Sequence, residues 1–207
     1  MKSIYQRLDL PDFSPVFGLE NPTSTVLSWP IPGTPSFTAN VPELHNGKYL
    51  CYARYNRHVL DSRYYAYVEN LIPELAGHIV SIGLQTIFNE IGCADGVRMQ
   101  PHTDGAARGR HCLHFIIEPG GENVTTTWYQ EKNFPLVRQP RVPTDKLITM
   151  HNLDKITDVT FIKNTWGIFR TDIIHDVKII QTSRIAFTVG FSDDAIFETI
   201  VNKYGIQ

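Results

Sequence analysis

The apolar positions of this chain change their period once. Between residues 61 and 91 they recur at three- and four-residue steps, through Tyr64, Val68, Leu71, Leu75, Ile79 and Ile82, the spacing of one helix face. Asp61 offers an N-cap, Pro73 divides the stretch or starts a second helix, and Gly92 with the Ala-Asp-Gly at 94–96 ends it. From residue 96 the apolar residues crowd into short segments rich in β-branched and aromatic side chains, at 96–102, 110–118, 125–131, 145–150, 158–164, 166–172, 176–181 and 184–191. Turn formers separate them, most plainly Pro-Gly-Gly-Glu-Asn at 119–123. Short strands without a helix-length gap predict a mostly β fold, an antiparallel sandwich or barrel of the jelly-roll kind. The helices of 61–91 would buttress the outer face of one sheet.

Upstream, seven of the 13 prolines fall between residues 11 and 42. Proline cannot donate to a ladder, so residues 1–60 read as extended, turn-rich chain with an edge strand. Residues 193–207 read as a C-terminal tail, and the 207 residues as a single domain. Hydrophobic residues at 42% and charged residues at 19% exclude a disordered chain, and a net charge of −2 lacks the basic excess of a non-specific nucleic-acid binder. Cys51, Cys93 and Cys112 show no metal or disulfide spacing. The N-terminus has no apolar signal-peptide stretch and no run reaches membrane-span length, so the expectation is a soluble, cytoplasmic protein.

Candidate chemistry lies at three places. His102 and Asp104 stand two apart in an extended segment and can face one point, as two cis ligands for a divalent metal. His175, between two strand-like runs, would complete a set of two histidines and a carboxylate, which on one face of an octahedron is the arrangement of non-haem Fe(II) oxygenases. Zinc hydrolases use the same ligand types, so ligand identity alone leaves the metal open. Arg184 sits in an apolar strand with Ala186 and Thr188 on its face and Ile185, Phe187 and Val189 on the other. Periodicity alone allows that face to be interior or exterior. Of the other histidines, His151 is the rival third ligand, but it lies in loop-like surroundings with no arginine at the right distance. His111 and His114 read as one surface and one packed residue, and His45, His58 and His78 as structural.

His102-x-Asp104, then His175 in a strand–turn–strand, then Arg184 nine residues later resemble the Fe(II)/2-oxoglutarate-dependent dioxygenase superfamily. The nearest flavour is its prolyl-hydroxylase-like branch, including small phage and bacterial members. The resemblance covers residues 96–192 and is most specific over 164–191. It implies a double-stranded β-helix, with Fe(II) on His102, Asp104 and His175 and a salt bridge from Arg184 to the C5 carboxylate of 2-oxoglutarate. It also implies O2 as co-reactant, and hydroxylation of a C–H bond in a peptidyl or small-molecule substrate with release of succinate and CO2. Gly109-Arg110 resembles the stretch where that branch carries an arginine near the substrate mouth.

Two departures stand out. Ala186 occupies the place of a serine that many relatives use as a second donor to the carboxylate, which leaves Thr182, Trp128 or Tyr129 to supply it. Gly190 stands where the nucleic-acid demethylase branch has a second arginine, which speaks against a nucleic-acid partner. The rival readings are a cupin-like metalloenzyme and a metal-binding jelly-roll protein, neither using 2-oxoglutarate. The Pro-rich stretch and residues 131–148 are long enough to act as lids. Lys132, Arg138, Arg141 and Lys146 read as solvated loop charge.

Overall fold

The computed structural model describes residues 3–12, 43–45, 48–50, 54–59, 62–88, 96, 98–99, 101–104, 108–132 and 153–207. Asp61, most of the Pro-rich stretch, the expected strand at 145–150, the segment 133–148 and His151 lie outside the described residues.

The strands are β1 (Tyr5–Leu8), β2 (Glu43–His45), β3 (Lys48–Leu50), β4 (Arg54–Val59), β5 (Ile79–Phe88), β6 (His111–Glu118), β7 (Thr125–Glu131), β8 (Leu153–Thr160), β9 (Trp166–Arg170), β10 (Ile174–Lys178) and β11 (Arg184–Phe191). Helix α1 (Ser62–Leu71) precedes β5, and helix α2 (Asp194–Tyr204) follows β11. A large antiparallel sheet runs β1-β9-β6-β11-β5-β4, a small one β10-β7-β8, and β2 and β3 form a hairpin. From β6 onward the chain changes sheet at every connection except β7 to β8. A bridge between His102 and His175 lays the ribbon 98–102 beside β10 as a further member of the small sheet. This sheet-to-sheet alternation is the winding of a double-stranded β-helix, or jelly roll.

The helical expectation for 61–91 holds only over its first half. Helix α1 ends at Leu71, Pro73 starts a single 3-10 turn at Pro73–Leu75, and Gly77 at φ +73 breaks the run. Residues 79–88 are strand β5, between β11 and β4. Ile82, Gly83, Leu84, Thr86 and Ile87 are all buried, because the sheet covers one face and the helical layer the other. A strand buried on both sides reads as a continuous apolar run, and periodicity cannot separate that from a buried helix. The β-helix core therefore begins at β5, upstream of residue 96.

Two further expectations are corrected. Strand β8 covers Leu153–Thr160, with a turn at Lys163 and Asn164 where a strand end was expected. The C-terminal tail is helix α2, capped by Asp193, whose Oδ1 accepts from the Ala195 and Ile196 amides at 2.8 and 3.2 Å. Phe197 and Ile200 of α2 join Val68, Ile72 and Leu75 over the outer face of the large sheet.

That helical layer settles how β11 faces. Every residue of β11 is buried. Phe187, Val189 and Phe191 pack under the helices, while Ala186 faces inward with Cys112, Ile116, Trp128, Phe161 and Phe169. The bulky apolar face is thus covered by helices, and the face bearing Arg184, Thr188 and Gly190 looks between the sheets. No helix among the described residues is long and apolar enough to cross a membrane.

Candidate active site

The end of the ribbon, with the loop after it, and the start of β10 bring the candidate ligands together. His102 lies on the ribbon beside β10 and exchanges backbone hydrogen bonds of 2.9 and 2.8 Å with His175. Asp104 follows, its amide donating to the Thr171 carbonyl at 3.0 Å, so the loop after the ribbon is stitched to the turn between β9 and β10. The ligand atoms of His102, Asp104 and His175 all lie within 4.8 Å of one another. The two imidazole centroids are 4.6 Å apart, and His102 Nε2 stands 3.8 Å from Asp104 Oδ1.

The protonation of His175 suits a ligand. Its Nδ1 lies 2.9 Å from the Ile173 carbonyl, which can only accept, so Nδ1 carries the proton and Nε2 keeps its lone pair. Burial, with His102 beside it, lowers its pKa to about 4, so the ring is neutral at neutral pH. Asp104 also takes an ion pair from Arg108, Nη1 to Oδ1 at 3.0 Å.

Arg184 lines the same cavity, of about 40 Å³, as the three candidate ligands. It is 5% exposed and makes no ion pair among the described residues. Its Nε is buried without a hydrogen-bond partner. Its guanidinium carbon lies 5.1 Å from the Phe161 ring centroid. Burial holds its pKa down to about 10. An uncompensated buried charge is costly, and an aromatic face offsets only part of that cost.

Strand registers fix the levels within the cavity. Cys112 pairs with Gly190 and with Phe169, and the Phe169 ring is 5.8 Å from that of His175. The candidate ligand set therefore stands at the Gly190 end of β11. Arg184 begins that strand six residues below, about 20 Å at the usual rise. Its guanidinium nonetheless reaches Phe161, whose ring packs 4.4 Å from His114, and His114 is opposite Thr188.

The other sequence candidates fall elsewhere. Thr182 is exposed in the turn before β11 and does not line the cavity. Trp128 is fully buried between the sheets, and its Nε1 donates to the Arg170 carbonyl at 3.3 Å. Tyr129 projects to the opposite face of the small sheet, with its hydroxyl 3.1 Å from Asp176 Oδ1. Arg110 is 49% exposed at the surface, paired with Asp172 and Asp194. Arg108, rather than Arg110, lines the cavity together with Arg184.

Sequence reasoning passed over Arg108, Thr126 and Gln85, and it read His111 and His114 as one surface and one packed residue, whereas both are buried and His114 lines the cavity with the other three. Thr126 Oγ1 is buried without a partner, the second orphaned polar atom in the same space. Strand parity carried the signal for two of them, since Thr126 shares the inward face of β7 with Trp128, and His114 that of β6 with Cys112 and Ile116. Burial, reinforced by Arg184, holds the His114 pKa well below the usual histidine range, so this ring is neutral. His111 faces the other way, with Nε2 2.8 Å from Asp194 Oδ1. His78 is exposed in a turn, while His45 and His58 lie in β2 and β4.

Gly190 shapes the mouth. A Cβ there would overlap the Arg108 carbonyl oxygen, which also accepts from Ser81 Oγ at 3.1 Å. Gly190→Ala is expected to push the Arg108 loop off β11 and destabilise the protein by about 1–3 kcal/mol. Thermal unfolding should show a fall of several degrees in Tm.

The chain matches no family model and no curated protein. Among solved structures it is similar to E. coli ycfD, at 12% identity and a TM-score of 0.36 over 65% of this chain. The chain covers 32% of the length of that protein. It is also similar to a prolyl hydroxylase from Trichoplax adhaerens, solved with a peptide fragment of the hypoxia inducible factor oxygen degradation domain. There the identity is 14% and the TM-score 0.40, over 72% of this chain and 67% of that one. The strand order itself defines the jelly roll.

Proposed function

We propose that the chain is an Fe(II)- and 2-oxoglutarate-dependent dioxygenase that hydroxylates a C–H bond of a peptidyl or small-molecule substrate, releasing succinate and CO2. One observation carries the reading. A compact His-Asp-His set shares its cavity with a buried guanidinium that has no acidic partner among the described residues. A metal site alone does not call for such a charge, whereas a metal site that takes a dicarboxylate does.

The donor chemistry fits the group. Two imidazoles and one carboxylate on one side of a metal leave positions open for a bidentate oxoacid and O2. Fe(II) held there with 2-oxoglutarate would supply the activation of O2 that couples oxidative decarboxylation to C–H hydroxylation. The protein's own side chains would bind and orient. His175 offers Nε2 because Ile173 fixes the proton on Nδ1. Arg184 would grip the distal carboxylate, with the unpartnered Thr126 hydroxyl as the second donor that Ala186 cannot be. Phe161 and Phe169 line the space between and keep water from it.

The test is anaerobic reconstitution with Fe(II) and 2-oxoglutarate, watching for the visible charge-transfer band of the chelate, followed by O2 and a succinate assay with a peptide and amino-acid library. A band followed by succinate formation supports the reading. Fe(II) binding with neither band nor succinate would overturn it in favour of a metalloprotein that does not use 2-oxoglutarate.

A further inference from the structure

Behind the candidate metal centre, on the opposite face of the small sheet, lies a charge cluster that takes no part in the cavity. Asp176 is fully buried. Arg98 Nε donates to its Oδ2 at 2.6 Å, and Arg98 Nη2 reaches the same oxygen. The Tyr129 hydroxyl lies 3.1 Å from both Asp176 oxygens and 3.2 Å from Arg98 Nη2, so it accepts from the guanidinium and donates to the carboxylate. Lys178 completes the cluster, with Nζ 3.9 Å from Asp176 Oδ1 and 5.1 Å from the Tyr129 ring centroid.

Buried ion pairs contribute little net stability, so the position of this one points to another role. It straddles the seam on which the ligand set depends. Arg98 precedes His102 by four residues, and Asp176 directly follows His175. Among the described residues, three backbone hydrogen bonds join the ribbon to β10: Met99 N to Val177 O, His102 N to His175 O, and His175 N to His102 O. They are out of step. Two residues separate Met99 from His102, but one separates Val177 from His175. Between these bonds the ribbon counts one residue more than β10, the offset of a β-bulge. The bulge lets Met99 and His102 both line the cavity while Arg98 reaches the opposite face. A one-residue slip of the ribbon against β10 would turn His102 out of the cavity. In the observed register Arg98 meets Asp176 across the sheet from the cavity.

We propose that Arg98, Asp176 and Tyr129 are positioning residues that lock this register, holding the ribbon with His102 and Asp104 against the strand with His175. They act through the backbone and touch no ligand atom. The inference rests on the reading of the three residues as metal ligands, and it is independent of 2-oxoglutarate.

The test uses the full chain, Co(II) as the probe metal followed by its visible d–d absorption, and hydrogen exchange at the His102 and His175 amides of the metal-free protein. The informative variant is Arg98→Met with Asp176→Leu, because an apolar pair removes the charges without stranding one. Arg98→Lys and Tyr129→Phe serve as milder variants that keep the buried carboxylate partnered. The Met/Leu pair is expected to melt near or above wild type, yet bind Co(II) roughly tenfold more weakly. Its two ribbon-seam amides should exchange faster, with those of β11 unchanged. Arg98→Lys, which keeps the charge without the fork, should recover part of the affinity. Wild-type Co(II) affinity and wild-type exchange in the Met/Leu pair would overturn the proposal, as would a loss of affinity matched by a general loss of protection. Failure of the wild-type chain to bind Co(II) would instead sink the metal reading, and the exchange rates would still decide whether the cluster locks the ribbon.

Discussion

Arg184→Met is expected to make the protein more stable and less able to bind 2-oxoglutarate. In the wild type the guanidinium is buried with its Nε unpartnered, and burial lowers its pKa to about 10. The group is charged at neutral pH in both folded and unfolded chains, so the depressed value is a penalty on the fold. That penalty is on the order of 3 kcal/mol and would lift only as pH rises through about 10. Methionine has similar length and no charge, so the cosubstrate-free variant should melt several degrees above wild type. The same substitution removes the charge-assisted grip on the carboxylate, and KM for 2-oxoglutarate should rise by about two orders of magnitude. Differential scanning fluorimetry reads both effects. The wild type should gain about 2.7 kcal/mol at a ligand concentration near 100 Kd, and the variant should gain almost nothing. A variant that is less stable than wild type and still shifted by 2-oxoglutarate would show that Arg184 has a structural partner instead.

Loss of His175 should have the second large effect, through a different readout. His175→Ala removes a neutral imidazole whose Nε2 is already presented to the cavity, so the charge-transfer band with Fe(II) and 2-oxoglutarate should disappear. The fold should survive, because the backbone hydrogen bonds to His102 do not involve the side chain. His151→Ala is the matched control and should leave the band intact. If the two results exchange places, the third ligand is His151 and the set must be redrawn. Circular dichroism on both variants separates loss of a ligand from loss of the strand.

The β-rich half of the fold was legible because its strands alternate or crowd β-branched residues between clear turns. Strands β6, β7, β9 and β11 fall within segments expected from residue types alone. Strand β5 was not legible, since covering on both faces erases the alternation that distinguishes strand from helix. Helix α2 had readable signals in Asp193, Phe197, Ile200 and Tyr204, spaced for a cap and one apolar face. At the site, the spacing of His102, Asp104, His175 and Arg184 singled out the residues that line one cavity. For the arginine near the mouth the same reasoning named Arg110, whereas Arg108 lines the cavity and Arg110 pairs with Asp172 and Asp194 outside β6, where no strand period tells the two apart.

By itself the sequence determined which side chains have the chemistry for a metal and an anion, and that the segments carrying them are mostly extended. Both follow from residue type and local period, which depend on near neighbours along the chain. Only the tertiary structure decided that the bulky face of β11 lies under helices and turns Arg184 inward. It alone decided that a bulge lets His102 and Met99 share the cavity while Arg98 reaches Asp176. Facing and register are properties of pairs of strands far apart in the chain, and no local pattern on either strand encodes its partner.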